Sequence, residues 1–203
     1  MNYFVTAIGT NCGKTVVSAI LCRALLADYW KPVQAGLPSD SDMVRSLLGE
    51  TTSSIHQEKF VFKTPASPHA AAALEDVEIK LADFVLPTQN TELIIEGAGG
   101  CLVPLNSREF VIDLASKFDA EVILVSDFYL GSINHTLLTY EALRNRKLRL
   151  KGIIFNGPHN FESERIILHH TGLRKLLHVE KEATVDTDMV NRYAKKLNEH
   201  WNG

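Results

Sequence analysis

The stretch "TAIGTNCGKT", Thr6 to Thr15, ends in three residues able to handle phosphate: Gly13, Lys14 and Thr15, set where an apolar run gives way to a helical pattern. A glycine turn that opens a helix aims backbone N–H groups and the positive end of the helix dipole at an anion. In that setting Lys14 meets the β- and γ-phosphates as a point charge, and the Thr15 hydroxyl ligates Mg2+. The spacing is unusual, because Gly9 and Gly13 enclose three residues where the pattern GxxxxGK[ST] has four. A glycine turn that merely happens to precede Lys-Thr is the competing reading. Position at the first strand-to-helix junction favours the nucleotide loop.

Mg2+ takes hard oxygen ligands, so carboxylates should join Thr15. Glu96 leads, since "LIIEGAGG" puts an acid at the end of a buried apolar run followed by glycines. Its alternative is an acid that caps the next element or faces solvent. Asp42 in "SDSDMV" competes with Asp40 and with an N-capping role. Lys31, in "YWKPV" immediately before Pro32, is a second cation able to converge on a γ-phosphate, where charge spreads over the transferring oxygens. A surface lysine on an edge strand is the alternative. Cys12, inside the loop, reads as a small filler rather than a nucleophile. His69, His135, His169 and His170 show no metal-ligand spacing.

These residues need a frame. The runs "YFVTA", "YWKPVQA", "LIIEGAGG", "EVILVSD" and "KGIIFNG" read as strands, and residues 14–28, 109–118 and 133–146 carry apolar side chains at helical intervals. That alternation predicts an α/β fold with a doubly wound, mostly parallel sheet flanked by helices, made P-loop NTPase-like by the Gly-Lys-Thr loop after its first strand, with ligands gathering at the carboxyl ends of the strands. The segment "DTDMVNRYAKKLNEHW" predicts a closing amphipathic helix. With 203 residues a single domain over 1–203 is expected. A net charge of −3 lacks the basic excess that nucleic acid demands. The opening residues carry no signal-peptide pattern, no apolar run is long enough for a membrane helix, and three cysteines without ligand spacing suggest neither disulfides nor zinc. A cytoplasmic location is the expectation.

Taken together, "GTNCGKT", "KPVQAG", "SDSD", "PASPH", "EGAGG" leading into "CLVPL", "LGSINH" and "NG" resemble, in order and spacing, the dethiobiotin synthetases. That family comprises ATP-dependent enzymes of biotin synthesis in the deviant P-loop group, and the similarity covers about residues 1–160. Counted from Ala7, the loop has five residues, Ile8 to Cys12, before Gly13, which removes the apparent shortfall. The resemblance implies that Asn11, Cys12, Gly13, Lys14, Thr15 and Val16 form the phosphate loop, that Glu96, Gly97, Ala98 and Gly99 contact ATP, and that Asn156 and Gly157 approach the adenine. It makes Thr15, Asp42 and Glu96 the Mg2+ ligands, and Lys31 with Lys14 the catalytic cations. Thr10, Ala35 and Pro68, the last within Pro65 to His69, would line the diamine side. Leu130, Gly131, Ser132 and Asn134 would receive the substrate carboxylate from a partner subunit, the family being homodimeric. The implied substrates are 7,8-diaminopelargonate, CO2 or bicarbonate, and ATP.

Three departures stand out. Asn11 replaces the family's usual acid before GKT, Ala35 replaces a hydroxyl residue, and the adenine-binding stretch is not recognisable after Leu176. Another P-loop small-molecule kinase or amide ligase is the alternative enzyme. A partitioning or metal-delivery ATPase is disfavoured, because "AIGTN" lacks the additional early lysine of that class.

Overall fold

The computed structural model describes residues 1–88 and 92–201. The chain runs through β1 (Asn2–Ala7), α1 (Lys14–Leu25), β2 (Asp28–Trp30), β3 (Val33–Ala35), α2 (Asp40–Leu48), β4 (Ile55–His56), β5 (Phe60–Phe62) and α3 (Pro68–Leu74). It continues through β6 (Leu93–Glu96), α4 (Asp113–Lys117), β7 (Glu121–Asp127), α5 (Ser132–Asn145), β8 (Leu150–Asn156), α6 (Phe161–Thr171), β9 (Lys175–Val179) and α7 (Thr187–His200).

Seven strands pair in the order β4-β2-β6-β1-β7-β8-β9, all parallel. The central runs are apolar at nearly every position because both faces are covered: Leu93, Ile94 and Ile95 are fully buried, as are Val122 to Val125. Side chains alternate between two cores. Tyr3, Val5 and Ala7 join Val17, Leu21, Val190 and Leu197 on the α1 and α7 side, whereas Phe4 faces Trp30, Leu114 and Leu143 on the other.

The expected closing helix is α7. Asp186 caps it, accepting a hydrogen bond from the Met189 N–H at 2.9 Å, and Met189, Val190, Tyr193, Ala194 and Leu197 form its buried stripe. That stripe shares the core of α1, and Trp201 meets the ring of Tyr3 edge-on at 5.2 Å.

Three expected elements differ in extent. "YWKPVQA" is two strands: β2 stops at Trp30, and β3 leaves the main sheet to pair with β5. Pro32 sits at the break, where it has no N–H to offer a ladder, and its carbonyl accepts from Lys59 and Phe60 instead. The helix expected over 14–28 ends at Leu25, because Leu26 turns left-handed at φ 52°. Of 109–118 only Asp113–Lys117 is helical, the residues before it being drawn into a bridge between Pro104 and Phe110.

Candidate functional site

The carboxyl ends of the strands carry the site. After β1 the loop reaches Gly13, which sits at φ 88° as the residue before α1, with no side chain capping the helix. The first-turn N–H groups of α1 thus have no capping side chain and could meet an anion. Asn11 lies at φ 61°, a left-handed conformation that asparagine tolerates well. A Cβ on Gly13 would stand 2.3 Å from Asn156 Nδ2, whose amide donates to the Cys12 carbonyl at 3.1 Å, so the loop is latched to the end of β8. Gly13→Ala should therefore cost about 1–3 kcal/mol of stability from backbone strain and weaken ATP binding at least tenfold, roughly 1.4 kcal/mol or more. Thermal melts and nucleotide titration check this; wild-type affinity would detach the latch from the site.

Lys14 is buried and donates to the Gly9 carbonyl at 3.2 Å. Burial, and then the nearby Lys31 charge, lower its pKa, so an incoming anion would relieve an unfavourable environment. Cys12 is buried too, and burial raises its thiol pKa, which keeps it from acting as a thiolate.

Three oxygens converge beside the loop. The Thr15 hydroxyl lies 3.0 Å from Glu96 Oε1 and 3.1 Å from Asp40 Oδ1. Lys31 Nζ reaches the same two acids, at 2.6 Å to Asp40 Oδ2 and 3.0 Å to Glu96 Oε1, and also donates to the Gly97 carbonyl at 3.1 Å. Burial opposes its charge, but Glu96 and Asp40 outweigh that and raise the Lys31 pKa. Glu96 Oε2 accepts from the buried Tyr29 hydroxyl at 3.0 Å; burial, then the Glu96 charge, push the phenol pKa well up and keep it a donor. The trio of Thr15, Asp40 and Glu96 is a hard-oxygen set suited to Mg2+.

Asp42 does not join this trio. Ser39 caps α2 by accepting from the Asp42 N–H at 3.1 Å, and the Asp42 carboxylate turns outward to an exposed pair with Arg45 at 2.6 Å. Asp40, two residues earlier on the helix, projects towards Thr15 instead, with its own N–H held by Gln34 Oε1 at 3.2 Å. Helical register separates the two acids, and the geometry selects Asp40 for the place the resemblance gave to Asp42.

A cavity of about 720 Å³ opens over these groups, lined by Thr10, Asn11, Gly13, Lys14, Thr15, Lys31, Glu96, Ala98 and Gly99, with Ala35 and the Pro65 to Pro68 segment opposite. Val16 also faces a second cavity of about 410 Å³, walled by Asn156, Gly157, Pro158, Glu180, Lys181, Glu182 and Met189. The loop after β9 had no recognisable motif; the signal for it was topological, a segment following the carboxyl end of a parallel strand. Leu130, Gly131 and Asn134 are exposed and line neither cavity of their own chain, while Ser132 is buried at the start of α5.

A parallel sheet with a Gly-Lys-Thr loop after its central strand, and an acid from the neighbouring strand against the loop threonine, defines a P-loop nucleotide-binding protein. The AAA domain family model matches residues 1–188. The fold is that of MinD from Pyrococcus horikoshii, solved with Mg-ADP, at a TM-score of 0.55, 12% identity, 99% of this chain and 93% of that one. A ParA family ATPase from Chlorobium tepidum matches equally at 0.55, with 12% identity, 97% of this chain and 98% of that one.

Within that class the chain belongs to the ATP-dependent dethiobiotin synthetase family. It is 60% identical to the member from Cytophaga hutchinsonii over 98% of both chains, and 46% identical to the one from Christiangramia forsetii over 97% of this chain and 95% of that one.

Proposed function

We propose that the chain converts 7,8-diaminopelargonate, CO2 and ATP to dethiobiotin with Mg2+, as one ATP-binding domain over residues 1–203 working in a homodimer in the cytoplasm. The observation that carries the reading is the convergence of Lys14, Lys31, Thr15, Asp40 and Glu96 on one cavity.

An amine of the diamine captures CO2 as a carbamate and releases a proton. A carbamate oxygen then attacks the γ-phosphorus and ADP departs. The second amine attacks the carbamoyl carbon, phosphate leaves, and the cyclic urea closes. Anionic charge builds on phosphate oxygens at each phosphorus- or carbonyl-centred step, so Lys14, Lys31 and the N–H groups of the loop act as preorganised electrostatic partners. Mg2+ held by Thr15, Asp40 and Glu96 would neutralise phosphate charge. The cavity's other role is positioning, since ring closure gains from holding both amines of one molecule near the reacting carbon.

The second cavity suits the nucleoside, with Asn156 and Gly157 in its wall. A fully exposed Leu130, with Tyr129 and Leu138 also exposed, supports a contact with a second copy through which the Leu130 to Asn134 loop would reach the partner's substrate. Among the described residues no helix is long and apolar enough to cross a membrane.

Incubation with the diamine, bicarbonate and Mg-ATP should yield the cyclic urea by mass spectrometry, together with one ADP per product. A folded, ATP-binding protein that forms none under these conditions would transfer the assignment to a P-loop kinase or amide ligase with another acceptor.

A further inference from the structure

Beyond the second cavity lies a cluster that the reaction does not use. Glu164, in the first turn of α6, is 5% exposed. Its Oε1 lies 2.5 Å from Nδ1 of His178 on β9 and 3.3 Å from Nδ1 of His159 in the β8–α6 loop. The two imidazole centroids are 3.7 Å apart. None of these histidines carries a recognisable ligand spacing in the sequence; three separate elements bring them together.

Every remaining polar atom of the cluster already has a partner. His178 Nε2 lies 2.8 Å from the Gly157 carbonyl, which can only accept, so that nitrogen carries the proton. His159 Nε2 faces Glu180 Oε1 at 3.3 Å, and Glu164 Oε2 accepts from Lys175 Nζ. Outer partners of this kind, a carbonyl and a carboxylate on the far nitrogens and a donor on the spare carboxylate oxygen, are what orient metal-bound histidines and acids.

Both Nδ1 atoms face the same carboxylate oxygen of Glu164. A single cation among these three atoms would meet all of them at once. A proton on one Nδ1 serves only that ring's contact with Glu164, whereas a single divalent ion would serve all three atoms. We propose that His159, Glu164 and His178 bind one late first-row divalent cation, Zn2+ being the test case, with water completing a tetrahedral shell.

Tetrahedral zinc with bonds of about 2.0–2.1 Å sets neighbouring ligand atoms about 3.3 Å apart. The His159–Glu164 edge already has that length; His178 would have to withdraw from Glu164, and the two rings, 3.7 Å apart at their centroids, to open to about 5 Å as the ion enters. Two imidazoles and one carboxylate distinguish this site from the all-oxygen trio at the phosphate loop. Its effect is to staple the β8–α6 loop to β9 and so hold Gly157, at φ 105° with its N–H on the Val179 carbonyl at 2.8 Å, against the second cavity.

Untagged protein, stripped of metal with a chelator and dialysed, is titrated with Zn2+ against a chromophoric competitor and with Co2+ by visible absorption. One equivalent should bind at micromolar concentration or tighter, with the absorption of tetrahedral cobalt. Glu164→Gln and His178→Ala should weaken binding by roughly tenfold or more, and so should His159→Asn, a change at an exposed residue that leaves the core untouched. His169→Ala with His170→Ala, and Glu96→Gln, should bind Zn2+ as before. Lack of saturable binding by the wild type, affinity unchanged in His159→Asn, or binding lost with His169 and His170 would each overturn the proposal.

Discussion

Lys31→Ala is expected to lower turnover by roughly 10²–10³-fold while ATP affinity changes only a few-fold, the signature of a cation whose contribution arises as charge develops in the transition state. Lys31 is buried and bonded to both acids and the Gly97 carbonyl, so its ammonium is fixed before substrate arrives. The same burial complicates the variant. Losing the lysine strips Glu96 and Asp40 of their shared cation, and breaking a buried pair this way costs about 3–5 kcal/mol. Turnover must therefore be compared with a thermal melt and an equilibrium ATP titration on the same preparation. A folded variant with wild-type turnover would remove Lys31 from the chemistry and leave it as a structural counter-ion.

Asp40→Asn should raise the Mg2+ concentration for half-maximal activity by roughly tenfold, since one of three anionic or hydroxyl oxygens loses its charge. Asp42→Asn should stay within about twofold, because an exposed ion pair with Arg45 is worth about 0–1 kcal/mol. The pair of metal titrations is decisive in either direction: a damaging Asp42→Asn beside a benign Asp40→Asn would mean that α2 turns differently when nucleotide is bound.

This contrast marks where sequence reading stops. Gly13, Lys14, Thr15 and Glu96 were legible because each is tied to a local pattern, a strand end followed by glycines, whose physical purpose needs no knowledge of distant contacts. The parallel sheet was legible from strands apolar on both faces. Choosing between Asp40 and Asp42 required the cap register of α2, which Ser39 sets and which two-residue spacing alone leaves open. Splitting "YWKPVQA" at Pro32 depended on the chain from Lys59 onward arriving to take its carbonyl. The wall after β9 and the cluster of His159, Glu164 and His178 were invisible for a plainer reason: their residues meet only through tertiary packing across β8, α6 and β9, with no periodicity to announce it.

The packing of α7 against α1 has a consequence in time. Residues 14–25 form the helix that carries the phosphate loop, yet much of their core is supplied by residues 189–201. At a synthesis rate of about 5–20 residues per second, the first segment waits on the order of ten to thirty seconds for the second. During that interval Val17, Leu21 and Tyr3 have no Leu197 or Trp201 to cover them. A nascent chain arrested before α7 should therefore display a greasy, nucleotide-blind first half, and the ability to grip ATP should appear abruptly once the final helix docks.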